Sequence, residues 1–167
     1  MRIRSIRLST DLRNTRAVER AIRRGSFCTI ATSSRANRPH VVGVLYVELD
    51  GFVYVSTLRA SVKARNIREN PLVAVCIPVR RIPLAPPFHI SFQGRAELHD
   101  REEIAISRLL RMGRLKTITS RGELDDEDSC FVRIHPGPRV ATYGLGVPVR
   151  ELLRDPVHAS RSVRLRP

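Results

Sequence analysis

The chain has 167 residues and 42% apolar content, enough for the core of one domain but short for two. Its net charge of +14 is spread from Arg2 to Arg166, and aromatic residues make up only 5%, so a nucleic-acid-binding role is disfavoured. The sequence has no run of about 18 apolar residues and no apolar signal-peptide core, so we expect a soluble, cytoplasmic protein outside the membrane.

Turn residues and apolar periodicity divide the chain into ten predicted elements. In chain order these are a helix at 11–24, strands at 27–32, 40–49 and 52–57, a helix at 61–70, strands at 72–79 and 88–98, a helix at 101–112, and strands at 130–136 and 139–144. The first three strands are expected to form an antiparallel meander, because Asp50-Gly51 is a hairpin signal. Six or seven antiparallel strands with few helices indicate a mainly β fold, a closed or nearly closed barrel.

Reactive side chains give little indication of hydrolytic or metal chemistry. Cys28, Cys76 and Cys130 are odd in number and lie in apolar stretches, so they are predicted to be buried thiols. The five histidines are scattered, and neither a GxSxG nor an HExxH motif is present. We therefore predict no metal site and assign no catalytic residue.

The segment SVKARNIREN (61–70) is the strongest candidate for a binding site. Ser61 is a plausible helix N-cap, and a helix start offers unpaired backbone N–H groups and partial positive charge to an anion. Lys63, one of only two lysines among 30 basic residues, falls in the first turn. The polar side chains that could complete a phosphate site are those of Ser56, Thr57, Arg65 and Asn66. A solvated surface helix with a serine cap is the alternative interpretation.

The order of these motifs resembles the split-barrel flavin and deazaflavin oxidoreductases of the pyridoxamine 5′-phosphate oxidase-like superfamily. The resemblance covers residues 18 to 145 or so, and its strongest part is K-x-R-N-[IL]-R-x-[ND]-P followed by an apolar strand. The matching residues are Lys63, Arg65, Asn66, Ile67, Arg68, Asn70 and Pro71. The resemblance implies a single split-barrel domain over 1–167, with an N-terminal helix at 11–24, a barrel at 26–145 and a tail at 146–167.

The same resemblance implies a homodimer with two cofactor sites at the subunit interface. The cofactor phosphate would be held by Ser56, Thr57, Lys63, Arg65 and Asn66. The ring would lie along the strand from His40 to Val44, with His40 and Val42 as its contacts.

The C-terminal part separates this chain from the authentic pyridoxamine phosphate oxidase. Arg133 and His135 have the spacing of that enzyme's Arg-x-His motif, but the chain has no tryptophan and the surrounding pattern is absent. The ending is instead similar to the branch that uses the deazaflavin coenzyme F420, which makes Tyr143, Gly144 and Arg150 secondary cofactor-binding candidates.

The cofactor is expected to be F420 or FMN. FMN ends in a phosphate monoester, whereas F420 continues through a phosphodiester to an acidic oligoglutamate tail, which a net charge of +14 favours. F420 is therefore preferred over FMN, and another group such as haem is the remaining alternative.

We expect an oxidoreductase that transfers hydride from F420 or FMN to a small unsaturated or quinone-like substrate. A non-catalytic carrier protein that binds FMN or F420 on the same fold is the alternative. A basic nucleic-acid-binding protein is the third, less favoured hypothesis.

Overall fold

Strands make up most of this protein, whose computed structural model describes residues 12–79, 88–145, 147, 149–155 and 159–165. The helices are α1 (Leu12–Arg24), α2 (Val62–Glu69), α3 (Ile104–Arg111) and α4 (Val149–Arg154), with a 3₁₀ turn at Lys116–Ile118. The strands are β1 (Phe27–Ser33), β2 (Pro39–Leu45), β3 (Val47–Leu49), β4 (Phe52–Leu58), β5 (Leu72–Val79), β6 (Phe88–Asp100), β7 (Ser129–Tyr143) and β8 (Ser160–Arg164). The mainly β, antiparallel split-barrel fold is thus confirmed.

One continuous stretch of chain closes the sheet. The strand order is β2-β1-β5-β6-β7-β4-β3, and β8 pairs with β7 outside this path. The two strands at the ends of that order, β2 and β3, are separated by Tyr46 alone. The first part of the stretch therefore pairs with β1 and the second with β4, which closes the barrel.

Tyr46 also attaches α1 to the barrel. Its side chain is fully buried, and its hydroxyl donates a 2.6 Å hydrogen bond to the Ile22 carbonyl. Its backbone N–H donates to the Ser26 carbonyl at 2.9 Å. Val18 and Ile22 of α1 are buried in the main core cluster. The helix and the barrel seam are therefore held at the same point.

The two longest strands, β6 and β7, pair along most of their length and change register once. Gly94 pairs with Pro136, and the next pair is Phe92 with Val140, so β7 carries the extra residues of a bulge. A side chain at Gly94 would lie 2.6 Å from the His135 carbonyl oxygen, which explains the glycine.

The helix predicted at 11–24 and the strands predicted at 27–32, 52–57, 72–79 and 88–98 are confirmed. The meander is wrong, because the predicted strand 40–49 breaks at Tyr46 and its halves lie on opposite edges of the strand order. The two predicted last strands are one strand, β7. The tail contributes α4 and β8, so the described residues contain eight strands rather than six or seven. The predicted loop at 80–87 lies outside the described residues.

Burial differs among the three cysteines. Cys28 and Cys130 are buried, as predicted, and burial raises the pKa of Cys28 to about 12. Cys76 is only half-buried, so the prediction of a buried thiol is wrong there. Its strand alternates, with Val73, Val75 and Ile77 in the core, and Cys76 consequently faces outward. No helix among the described residues is long and apolar enough to cross a membrane.

Candidate functional site

The start of α2 has the N-cap that the sequence predicted. Ser61 has an extended backbone conformation, and its Oγ accepts a 3.3 Å hydrogen bond from the Ala64 N–H. The Thr57 hydroxyl, at the end of β4, lies 3.0 Å from the same Ser61 Oγ. Helix geometry leaves the N–H groups of Val62 and Lys63 without an acceptor inside the helix. Two hydroxyls and two backbone donors without an acceptor inside the helix thus lie at the start of α2.

Lys63 lies in the first turn of α2, and its ammonium is partly removed from water. The side chain is half-buried, and burial lowers the pKa of Lys63 below its ordinary value, although nearby Cys130 opposes the shift. Among the described residues, no carboxylate lies within ion-pair distance of this ammonium. An anion bound beside this ammonium would compensate for the hydration that it has lost.

Asn66 connects the helix to the opposite side of the barrel. It is buried, and its Nδ2 donates a 3.0 Å hydrogen bond to the Thr32 Oγ1 on β1. Thr32 pairs with His40 on β2, and paired residues point to the same face of a sheet. The structure therefore brings Asn66 and His40 together through Thr32, and at least one donor of Asn66 serves the fold.

The other predicted residues near α2 have different exposures. Ser56 is half-buried and pairs with Phe131, on the face of β4 opposite to Thr57. Arg65 is exposed on the helix surface, where it can reach an anion only from outside. Of the five predicted phosphate-binding residues, the structure therefore places Thr57 and Lys63 closest to the helix start.

An open cavity of about 510 Å³ lies on the outer face of the sheet formed by β1, β2, β5, β6, β7 and β8. Mostly small or apolar side chains line it, and among the described residues of the lining Arg139 alone is charged. Val41 of β2 faces this cavity, whereas His40 and Val42 pair with Thr32 and Ile30 on the opposite, core side. Of the β2 residues predicted to lie along the ring, Val41 therefore faces the outer cavity, whereas the predicted contacts His40 and Val42 face the core side of the sheet.

The C-terminal candidates lie elsewhere in the chain. Tyr143 ends β7 and stacks on His89, with ring centroids 5.7 Å apart. Gly144 has φ of +76° and packs against the Phe88 ring. Arg150 is exposed on α4. Tyr143 is the last residue of β7, whereas Thr57 pairs with Cys130 near its start.

Sequence reasoning missed several residues of these two regions. Arg59 and Ala60 form the loop before α2, and their contacts come from distant acidic residues that no local pattern reveals. Arg139 and Cys76 line the outer cavity. The alternation of β5 could have identified Cys76 as outward-facing, whereas nothing in the sequence distinguishes Arg139 from the other arginines.

The donors at the start of α2 fit a phosphate group. Unpaired backbone N–H groups, two hydroxyls and a half-buried ammonium are the groups that bind phosphate oxygens at helix starts. An uncharged ligand would leave the desolvated ammonium without compensation. We call the Thr57 and Ser61 hydroxyls, Lys63 and the first turn of α2 the phosphate cradle.

Comparison with known proteins gives both a family and a fold. The sequence profile of the family described as pyridoxamine 5′-phosphate oxidase matches residues 15–136. No curated protein is significantly similar in sequence. Among solved structures, the haem storage protein HutZ from Vibrio cholerae is 18% identical with a TM-score of 0.66, over 77% of this chain and 94% of that one.

Two further solved structures resemble the chain. A FAD-binding protein from Mesorhizobium loti is 17% identical with a TM-score of 0.61, over 74% of this chain and 89% of its own. A protein described as an F420 reductase is 18% identical with a TM-score of 0.51, over 71% of this chain and 92% of its own. At these identities the likeness shows the fold alone.

The hydrogen bond between Asn66 and Thr32 predicts a stability effect that needs no ligand. Asn66→Ala leaves the buried Thr32 hydroxyl without this partner, so the free energy of unfolding should fall by about 1–3 kcal/mol. The matched control is Arg65→Ala, an exposed position one residue away, which should change it by about 0.5 kcal/mol or less. Urea unfolding without cofactor measures both, and equal effects would contradict a structural role for Asn66.

Proposed function

Because the chain belongs to the pyridoxamine 5′-phosphate oxidase family, we propose that it binds a phosphate-bearing flavin or deazaflavin, with the phosphate in the cradle at the start of α2. The proposed protein is a homodimer and an oxidoreductase that passes hydride to a small unsaturated or quinone-like molecule. The observation that carries the proposal is Lys63, a half-buried cation for which the described residues provide no carboxylate.

The proposed roles of the chain's own residues are binding and orientation. Lys63 and the free N–H groups of α2 hold two or more phosphate oxygens, and the Thr57 and Ser61 hydroxyls orient the group. Once a second copy covers it, the outer cavity, with its small and apolar lining, would exclude water from a flat ring placed against Val41. A bound flavin or deazaflavin supplies the hydride chemistry itself. The proposed hydride transfer therefore requires no acid or base from the protein.

F420 is the preferred cofactor, and FMN is the second candidate. Arg65 and Arg68 are exposed on α2, beyond Lys63, and offer cations to an acidic tail that leaves the site. The phosphate monoester of FMN would use the cradle alone. Such surface attraction is screened over about 8–10 Å at ordinary salt, so it gives F420 only a modest advantage in affinity over FMN. Haem remains the third candidate, since one protein of similar fold is a haem storage protein.

The outer face of the sheet is the proposed dimer interface. Large apolar side chains are exposed there on three adjacent strands, with Phe27 at 47%, Val41 at 60% and Leu72 at 64% exposure. Ala31 and Ala74 lie between them in register. A contiguous apolar surface of this kind is typical of an interface, and a second copy would cover the cavity.

A non-catalytic carrier is the second candidate function. The lining of the outer cavity favours it, because Cys76 and Arg139 are the only titratable side chains that the described part of the chain contributes to it. The fold is also that of a haem storage protein. The absorbance and mass of the small molecule that copurifies would identify the cofactor, and turnover against unsaturated and quinone substrates would separate the two functions. Reduced cofactor that binds but never reoxidises with any substrate would favour the carrier.

Removing the Lys63 ammonium should weaken cofactor binding without unfolding the protein. Lys63→Ala loses one charge-assisted contact, so the Kd for F420 or FMN should rise by about 10- to 150-fold. Lys63→Arg keeps the charge and should retain much of the affinity, though not all. Titration at fixed ionic strength measures all three proteins. Unchanged affinity in Lys63→Ala would mean that α2 is an ordinary solvated surface helix.

The affinity should also depend on alkaline pH. Burial lowers the pKa of Lys63, so the ammonium of the free protein loses its proton at a lower pH than an ordinary lysine. The Kd should stay constant below that lowered pKa and rise as pH increases through it, by about tenfold per pH unit for a strictly required ammonium. Lys63→Arg is the control, since its guanidinium keeps its proton. The same alkaline loss in both proteins would contradict the assignment.

The proposed interface predicts the mass in solution. Light scattering should report about twice 18.9 kDa for the natural chain. Val41→Glu places a charge in the middle of the apolar outer face, and should give a folded monomer with weakened cofactor binding. Ile104→Glu, at a residue 86% exposed on α3, is the control and should remain a dimer. A natural chain that binds cofactor as a monomer would contradict the proposal.

A further inference from the structure

The loop between β4 and α2 is held by acidic residues from two other parts of the sheet. Leu58 ends β4 and Ser61 caps α2, so only Arg59 and Ala60 connect them. The Ala60 N–H donates a 3.0 Å hydrogen bond to the Asp128 Oδ2, and the Arg59 N–H donates to the Asp128 carbonyl at 2.8 Å. Asp128 therefore contacts both residues of the loop.

The Arg59 side chain adds a second attachment. Its Nε and Nη2 donate to the Asp100 Oδ1 at 3.1 and 2.7 Å, and its Nη1 donates to the Glu127 carbonyl at 3.1 Å. Asp100 ends β6, and Glu127 lies just before β7. The Asp128 N–H is itself fixed by the Asp126 carboxylate at 2.8 Å. One arginine thus connects the loop to the ends of two strands.

These contacts contribute more to orientation than to overall stability. The Arg59 side chain is 32% exposed and that of Asp100 is 58% exposed, and ion pairs at such positions add little to the free energy of unfolding. However, a two-residue connection determines where the first turn of α2 lies. A small rotation of Ala60 would move the Ser61 cap and the Lys63 N–H together.

We propose that Asp128 and Arg59 are positioning residues of the phosphate cradle, which fix the loop so that its donors converge on one phosphate. The inference rests on the proposed function. It concerns residues that do not touch the ligand and that act through Ala60 and Ser61. It also explains how a site for an anion tolerates two carboxylates nearby, since the Ala60 N–H and the Arg59 guanidinium engage them.

Asp128→Ala separates a positioning role from a simple charge effect, because the two predict opposite changes in the affinity for a phosphate. Loss of a negative charge beside an anion site would strengthen phosphate binding if only charge mattered. Loss of the acceptor for Ala60 should instead raise the Kd for FMN, or for F420, by about 5- to 30-fold. Asp128→Asn keeps an acceptor oxygen and should stay within about threefold of the natural chain. Asp125 lies close to Asp128 in the segment before β7 but has no hydrogen bond to Ala60. Asp125→Ala is therefore the matched charge control and should not weaken binding.

Ligands without a phosphate show whether the effect acts through the cradle. Riboflavin is paired with FMN, and the phosphate-free deazaflavin with F420, in titrations of each variant. Asp128→Ala should lose affinity for the phosphorylated member of a pair and keep its affinity for the other. Arg59→Gln should show the same selective loss, and it provides a second test if Asp128→Ala does not fold.

These titrations test the phosphate cradle and the positioning role of Asp128 and Arg59 separately. If the natural chain binds the phosphorylated and unphosphorylated ligands equally well, the phosphate cradle itself is wrong, and this inference fails with it. If the natural chain prefers the phosphorylated ligand but Asp128→Ala and Arg59→Gln keep that preference, the cradle stands and the positioning role is overturned. Equal losses for both ligands would also overturn it, because they indicate a general structural defect.

Discussion

Closure of the barrel at Tyr46 is the constraint on which the rest of the structure depends. Residues on either side of this tyrosine belong to strands at opposite ends of the sheet order, so the sheet can close only if the chain turns there. Its buried hydroxyl bonds to α1, and burial raises the pKa of Tyr46, which keeps the donor protonated. With the barrel closed, α2 contacts two strands. Thr57 of β4 lies beside the Ser61 cap at the start of the helix, and Thr32 of β1 bonds to Asn66.

The sequence predicted those features that depend on local patterns. The strands with alternating burial, the hairpin at Asp50-Gly51 and the Ser61 cap all follow from residues close in sequence. The break at Tyr46 was missed because the segment around it is continuously apolar, and only tertiary pairing divides it. The single strand β7 was missed because Pro136 and Pro138 normally end strands, whereas here the bulge opposite Gly94 accommodates them. Of the site, Lys63 was predictable and the contacts of Arg59 were not, since they join residues about 40 to 70 positions apart.

The motif around α2 combines two kinds of residue. Asn66 and Ser61 are engaged within the protein, one with Thr32 and the other as the helix cap. Lys63 is engaged with no carboxylate among the described residues, and Arg65 is exposed. A motif read only as a ligand set would therefore assign too many of its residues to the cofactor. The buried amide keeps the helix in place, and the partly buried ammonium is the group of the motif best suited to meet an anion.

The position of the C-terminal candidates has a consequence for how a complete site could form. Tyr143 and Gly144 lie at the far end of β7 from Thr57, and they pack against His89 and Phe88, so their local roles are already accounted for within one chain. Ala141, two residues before Tyr143 on the same face of β7, lines the outer cavity, so Tyr143 lies beside this cavity within one chain. A site that includes both groups of candidates would therefore extend from Thr57 and Lys63 at the start of α2 to the outer cavity beside Tyr143.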